Sequence, residues 1–507
     1  MEPSTDRRSD KLDRDVIVTG LVVVSGMIMV VLDTTIVNVA LDSLSRELDA
    51  PLSTTQWVVT GYLLAVALVI PLSGWAMDRF GPKPTWITAV GLFMAGSALC
   101  AAAWSIDSLI AFRVIQGLGG GMLLPAGQAI ITRAAGPERL GRAMSILGVP
   151  MLLGPVFGPV IGGLLVEYAS WHWIFLVNVP VGALALTLAV WKLPSGGALP
   201  EFGRLDLRGL VLLSGSLVCL LYGLSRASSH GGFSEWNVLG WLIGGAAGLA
   251  LYTWHSLNKG TGSIIDVRLL TNRLFASGTV AVFLVAIGMF GGMLLLPLYY
   301  QTVRGEGALN AGLLLAPQGL GAIVAIVIGG RLTDRIGAGY VVPVGVVLAL
   351  LGTVPFTQVG VDSSYLWLSA ALFVRGMGLG AVMMPTISAA YTELDKDVIS
   401  RAAPTLSAIQ QVGASLGSAL LVTALTQRLT DQLSSQGVET TGNGADQISS
   451  LPPEAMAVVG PALSDSFGYA FWIAFALTAL ILIPASFLPR HAARDRREAP
   501  QTVGKKE

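Results

Sequence analysis

Apolar runs of about 20 residues, the length a helix needs to cross a bilayer core, recur along this 507-residue chain. In lipid every backbone amide must find its partner within the protein, so such runs are confined to helices. Charged residues make up 12% of the chain and the mean hydropathy is +0.69. A water-soluble globular chain carries roughly twice that charged fraction. Fourteen segments are read, at 16–41, 54–77, 84–104, 108–132, 143–166, 173–192, 208–227, 237–257, 275–298, 308–330, 339–358, 365–391, 403–426 and 466–488. The predicted fold class is an all-α polytopic membrane protein with 14 transmembrane helices. The pair 208–227 and 237–257 has flanking loops of ambiguous polarity, and without it twelve spans would remain.

Lysine and arginine set the orientation, because they are retained on the cytoplasmic side. With the N-terminus inside, 25 of the 31 basic residues fall on the inner side. Four fall outside, Arg46, Arg226, Arg304 and Arg428, and two, Arg113 and Arg375, lie within spans. Both termini are therefore expected in the cytoplasm of a plasma (inner) membrane. The polar stretch up to Asp15 precedes a long span, so no cleavable signal peptide is expected. Trp104, Trp171, Trp173, Trp191, Trp236 and Trp367 sit at span ends, where tryptophan anchors at headgroup level. The long outer loop 427–465, rich in Ser, Gly, Gln and Asp, is expected to be flexible, with room for a short helix near Pro453–Val459.

Composition removes several functions. The net charge is zero, so nothing points to nucleic acid as a partner. Cys100 and Cys219 both lie in apolar runs, against a disulfide framework or a thiolate metal site. The phosphate-cradling pattern G-x-x-x-x-G-K-[ST] is absent, so transport work would draw on a gradient or on another chain. No cofactor and no metal are expected.

The chain also repeats itself. GWAMDRFG (74–81) and GRLTDRIG (330–337) share G-x-x-x-D-R-x-G at a displacement of 256 residues. Arg113 and Arg375 are displaced by 262, each followed by a glycine-rich run and a proline, Pro125 and Pro385. These landmarks divide the chain into six-helix bundles at 16–192 and 275–488, an inserted pair at 193–274, and tails at 1–15 and 489–507. Two matched halves around a central site are how a transporter alternates access.

At these motifs the chain resembles the major facilitator superfamily. GWAMDRFGPK is similar to its signature between spans 2 and 3, and RVIQGLGGG (113–121) to its span 4 motif. GPVFGPVIGG (154–163) resembles the span 5 motif of the antiporter branch. LDTTIVNVAL (32–41) and WHWIFLVNVPVG (171–182) resemble the fourteen-span drug:proton antiporters. The resemblance implies proton-coupled multidrug efflux, of the kind that confers antibiotic resistance. It also implies a coupling role for Asp33 with Arg113 and a gating role for span 5.

The residues themselves point the same way. An ionised carboxylate in lipid is costly, so Asp33, the one deep acid, is a functional candidate, and Arg113 lies at similar depth. Burial favours the protonated acid and a nearby guanidinium the charged one, opposed effects that suit a group that loads and releases a proton. A permanent ion pair that only fixes packing is the alternative. Arg375 has no acid in the spans of its own half, so carbonyls or Gln and Ser side chains are expected to satisfy it. In span 5, Gly154, Gly158, Gly162 and Gly163 allow close helix approach while Pro155 and Pro159 bend the span, features suited to sealing the interface between halves.

Gly74, Asp78, Arg79, Gly81 and Lys83, with Asp334 and Arg335 repeating them, form an expected inner-loop gate. There Asp78 would cap a helix or pair with Arg139 or Arg142. Asn38, Gln116, Phe290, Met293, Gln318 and Gln410 are the candidate substrate cavity. A single deep carboxylate offers little counter-charge to a dication, so the expected partners are protons, the lipid bilayer and a neutral or monocationic lipophilic substrate. Export of an endogenous lipid or secondary metabolite is the second transport reading, and a non-transporting sensor a third. An enzyme would need a reactive cluster at membrane depth, whereas the four histidines lie at span ends or in loops.

Overall fold

A computed structural model describes residues 13–194, 205–229, 232–233, 235–395, 398–435 and 453–490. Hydropathic runs become long helices wherever the chain is apolar. The first bundle comprises α1 (Arg14–Glu47), α2 (Trp57–Phe80), α3 (Pro82–Ala101), α4 (Ile106–Ala135), α5 (Leu140–Tyr168) and α6 (Asn178–Lys192). The insertion contributes α7 (Leu207–Ser229) and α8 (Trp236–Lys259). The second bundle comprises α9 (Arg273–Thr302), α10 (Ala308–Ile336), α11 (Ala338–Thr353), α12 (Tyr365–Tyr391), α13 (Ile399–Ser435) and α14 (Pro453–Ala479). Among the described residues, 12 helices are long and apolar enough to cross a membrane. Helices α5 and α8 stand at the places of the other two expected spans.

The outer segment 427–465 differs from expectation. Helix α13 runs on to Ser435, and α14 begins at Pro453, so the short helix foreseen there is the start of a long one. Leu425, Leu429 and Leu433, four residues apart, bury one face of this extension. Asp465 of α14 ties it down by accepting from Arg428 (3.3 Å) and from Gln432. Residues 436–452 lie outside the described residues. Trp171 also departs: it is 3% exposed, stacked on His172 and edge-on to Phe175, while Trp104, Trp191 and Trp236 are exposed as headgroup anchors would be.

Glycines determine where helices cross. The run Gly117–Gly121 of α4 lies between α2 and α3: a Cβ at Gly117 would stand 2.6 Å from Tyr62 O, and one at Gly121 2.6 Å from Val66 O. Between halves, α5 packs on α10, and α2 packs on α13, the corresponding pair under the repeat. The apolar cores show how the halves lean. At the end where α5 begins, Leu140, Met144 and Leu147 share one core with Met384, Ile387, Ala402 and Leu406. Toward the other end the halves keep separate cores, Ile36, Val37, Ala40 and Phe175 in one, Tyr299, Phe356, Phe467 and Phe471 in the other. The bundles thus share a core at one end and not at the other.

The insertion rides on the seam between bundles. Helix α7 packs against both α2 and α13; Ser214 Oγ donates to Leu68 O (2.7 Å) and Thr423 Oγ1 to Ala227 O (3.4 Å). At its base Asp206 accepts from Lys259 Nζ (2.7 Å) and Gly209 N (3.1 Å) and lies 3.0 Å from His255 Nε2. This staples the entry of α7 to the exit of α8.

Candidate functional site

Asp33 is fully buried in the middle of α1, with donors on both oxygens. Arg113 Nη1 of α4 donates to Oδ2 at 2.6 Å. Gln116 Nε2 of α4 and Asn178 Nδ2 of α6 donate to Oδ1 at 2.8 and 3.0 Å. Around this core, Gln116 Oε1 accepts from Arg113 Nη1 (2.6 Å) and from Cys100 Sγ (3.7 Å). Ser97 Oγ accepts from Gln116 (2.7 Å) and Asn178 (3.3 Å), and Arg113 Nε donates to Val58 O (3.0 Å). The guanidinium also lies over the Tyr62 ring, 4.2 Å from its centroid. The orientation of the Gln116 amide is set by charge: reversed, its oxygen would face the carboxylate and its NH2 the guanidinium.

The structure brings together Asp33 and Arg113, read from the sequence as a pair, and places Gln116, read there as cavity-lining, in this network. Sequence reasoning missed Asn178, Ser97 and Cys100. The spacing of Arg113 and Gln116, three residues apart on one helix face, was the available signal for Gln116. Nothing local marks Asn178, which reaches the site only because α6 packs on α1.

The residues expected to form an inner-loop gate make a pair of latches between halves. Asp78, at the end of α2, accepts from Ser400 Oγ and from Arg401 Nε (3.1 Å) at the start of α13. Asp334, at the end of α10, accepts from Gly141 N (2.8 Å) and Arg142 Nε (2.7 Å) at the start of α5. Asp334 thereby caps the positive N-terminal end of α5 and pairs with its arginine, whereas Asp78 is held by side chains of the first turn of α13. The expected partners of Asp78 are corrected: Arg142 serves Asp334, and Arg139 pairs with Asp13 at 2.6 Å. A Cβ on Gly74 would lie 3.0 Å from Ser400 O and one on Gly330 2.9 Å from Gly141 O, so both motif glycines mark close helix crossings between the halves. Gly81 and Gly337 take φ 89°, the turn that follows each latch. Lys83 Nζ instead caps the exit of α6, donating to Val190 O and Leu193 O (both 2.8 Å). Arg79 is exposed, and Arg335 lies in the last turn of α10.

Helix α5 divides its glycines between two jobs. Gly141 and Gly148 face the other half, against Asp334 and Met384. Gly154, Gly158 and Gly162 pack on α1 of their own half, against Val31, Thr35 and Ile36, so they do not seal the interface between halves as expected. A Cβ at Gly154 or Gly158 would overlap Val31 Cγ1 or Thr35 Oγ1. Gly163 meets nothing within 4 Å, and the side chains of Pro155 and Pro159 lie outside the described residues. The antiporter-motif stripe therefore sets the position of α1, the helix that carries Asp33.

The expected cavity is realised in part. Met289, Phe290, Val285, Met383, Ile387 and Gln410 line a small apolar cavity among α9, α12 and α13. Met293 packs partly buried beside this core. Asn38 is exposed on α1, its Nδ2 donating to Thr34 O (2.9 Å). Gln318 accepts from Arg375 Nη1 at 2.8 Å, which identifies the glutamine expected to satisfy that arginine.

Two six-helix bundles related by an internal repeat, latched on one side and carrying a buried charge network, define a two-bundle membrane transport fold. Residues 23–420 match the sequence profile of the Major Facilitator Superfamily, and the chain belongs to that family. It is 39% identical over 511 residues to the "Multidrug resistance protein B homolog" of Mycobacterium tuberculosis, covering 98% of this chain and 94% of that protein. It is 34% identical to the "Putative multidrug resistance protein MdtD" of Salmonella typhi, covering 78% and 83%. Among solved structures it resembles the human organic anion transporter MFSD10 (TETRAN), with a TM-score of 0.60, 17% identity and 93% and 99% of the two chains covered. The proton:xylose symporter XylE aligns with a TM-score of 0.60 at 14% identity, covering 95% and 98%. At these identities the structural likeness speaks to the fold.

Proposed function

We propose that this chain is a proton-driven antiporter that exports lipophilic compounds across a plasma membrane, with fourteen spans and both termini in the cytoplasm. The observation that carries this reading is the set of neighbours around Asp33. Arg113, Gln116 and Asn178 all present donors, so the carboxylate is matched only while unprotonated. An added proton would meet N–H groups, and relief requires an amide to turn or a helix to shift. Rotation of Asn178 would offer its Oδ1 as acceptor and loosen α6 from α1. Loading a proton is thereby tied to the packing of α1, which α5 holds through its glycine stripe.

The latched inner side and parted outer side fit an outward-facing state, from which a proton arriving from outside would reach Asp33. Each charge moved is worth about 2.3 kcal/mol per 100 mV, enough for one proton to drive a useful gradient. The composition argument gives a neutral or monocationic lipophilic cargo. The test is proton movement in everted vesicles: added substrate is expected to release protons from energised vesicles bearing the chain. Export that proceeds at full rate with the proton gradient collapsed overturns the reading.

A further inference from the structure

Besides the two latches, a hydrogen bond between uncharged side chains crosses from one bundle to the other. Tyr391 Oη, at the end of α12, donates to Gln128 Oε1 of α4 at 2.9 Å. Both side chains are 2% exposed, and Tyr391 belongs to the apolar core that the halves share. The displacement of 262 residues that relates Arg113 to Arg375 carries Gln128 onto Ala390, the neighbour of Tyr391. The bond therefore joins nearly corresponding points of the two halves, and such a contact lies near the axis that relates them. The latches, α2 on α13 and α10 on α5, are exchanged by the same relation and so flank that axis. A tilt of one bundle can strain one flanking latch and spare the other. Bundles that part at this end cannot keep the axial bond.

We propose that Gln128 and Tyr391 form an axial tie that positions α4 against α12 while this end is closed, and whose loss shifts the balance toward parted bundles. The tie differs from the latches in its chemistry. A phenol and an amide are uncharged at neutral pH, so they attract only at contact and favour full closure over loose docking. Inside the apolar core no water replaces a lost partner, so either group alone stays unmatched until the bundles part. Helix α4 also carries Arg113 and Gln116, so the tie seats the helix that holds Asp33 against the second bundle. That this end opens in turnover rests on the transport reading above; that the pair stabilises the closed arrangement does not.

The test places spin labels at the ends of α4 and α12 nearest the tie, in the full chain in phospholipid nanodiscs at neutral pH without substrate or gradient. Parted bundles then register as a longer distance component. Tyr391→Phe removes the hydroxyl and keeps the ring in the core; it should raise the ratio of open to closed molecules about fivefold, the change a neutral hydrogen bond supplies. Gln128→Met, similar in volume, should act likewise, and the double variant should open no further than either single one, because both remove the same bond. A tyrosine that served packing alone would leave the ratio unchanged in Tyr391→Phe. An unchanged ratio in either single variant, or effects that multiply in the double variant, overturns the proposal. Asp78→Asn combined with Asp334→Asn is the control for opening. If that control stays closed, the transport reading fails, and unfolding midpoints of the same cycle decide the tie: a loss shared by the two variants supports it, and independent losses overturn it.

Discussion

Arg113 Nη1 lies 2.6 Å from Asp33 Oδ2 and 2.6 Å from Gln116 Oε1, with both charged side chains sealed from solvent. One guanidinium nitrogen thus holds the acid and also the amide that holds the acid. Losing either charge leaves the other buried without a counter-charge, a change that is strongly destabilising when the survivor stays charged.

Asp33→Asn is therefore expected to abolish proton-coupled export while the protein still inserts, since an amide cannot cycle a proton. Arg113→Ala should match it. Arg113→Lys should retain part of the activity, because the charge persists without the planar fork that spans Asp33 and Gln116. Efflux of a fluorescent substrate from vesicles under an imposed pH gradient measures all three. Full efflux by Asp33→Asn would remove the carboxylate from the coupling step.

Gln116 takes part in four hydrogen bonds, with Asp33, Arg113, Ser97 and Cys100. Gln116→Ala should lower stability by about 1–3 kcal/mol, the cost of leaving buried polar groups unmatched. Asn178→Ala removes fewer bonds and should cost less. Thermal unfolding in detergent gives the ranking, and equal midpoints for wild type and both variants would refute it.

How far the sequence foretold this depended on whether partners were near in the chain. The long apolar helices follow from hydropathy, because lipid imposes that pattern locally. Asp33 and Arg113 stand out because charge in an apolar run is expensive. Asn178 and Arg401 do not: each is an ordinary residue near a helix start, and its role comes from the helix packed opposite. The same holds for Gly154, Gly158 and Gly162, whose spacing announces a close crossing without naming the helix crossed. The extension of α13 was legible in Leu425, Leu429 and Leu433, but the surrounding Ser, Gln and Asp content suggested a loop.

If, as proposed, the two latches hold one gate closed, their strengths should add in free energy. Asp78→Asn and Asp334→Asn each weaken a mostly buried charge-assisted contact, worth about 1.5–3 kcal/mol. Each single variant should raise the population open to the cytoplasm, and the double variant should make it dominant. Spin labels at the cytoplasmic ends of α2 and α13 would report this as a longer distance component. A double variant with the wild-type distance distribution would show that the apolar core alone holds the gate.

Asp206 is expected to make the inserted pair pH-sensitive. Burial alone would raise its carboxyl, but hydrogen bonds from Lys259, Gly209 and His255 and the Lys259 charge hold it below the usual carboxylate range. A depressed value in the folded protein means stability that is present above the unfolded value, roughly 3.9, and lost as pH falls through the folded one. The α7–α8 staple should therefore hold at neutral pH and loosen only in acid. Asp206→Asn should lower the neutral-pH unfolding midpoint and flatten its acid dependence. A variant whose midpoint falls as steeply in acid as wild type would assign that dependence to other groups.

Gly158 and Thr35 offer the sharpest test of what the antiporter-motif stripe does. A methyl group at Gly158 would occupy the position of Thr35 Oγ1, so Gly158→Ala forces α5 away from α1 at the turn next to Asp33. Overpacking of this kind costs about 1–3 kcal/mol and shifts backbone. Transport should fall accordingly, although the substitution adds no charge and touches no proton-bearing group. Thr35→Gly removes the obstructing oxygen and also the Cβ, which would lie 2.5 Å from the new methyl; its hydroxyl otherwise donates to Leu32 O (2.9 Å) within α1 and to Gly154 O (3.3 Å) of α5, so the substitution alone should cost on the order of 1 kcal/mol. The double variant should then recover much of the lost activity and stability, a coupling energy that a double-mutant cycle isolates. If the glycine stripe acted at the interface between halves, Thr35→Gly would rescue nothing, because Thr35 lies entirely within the first bundle.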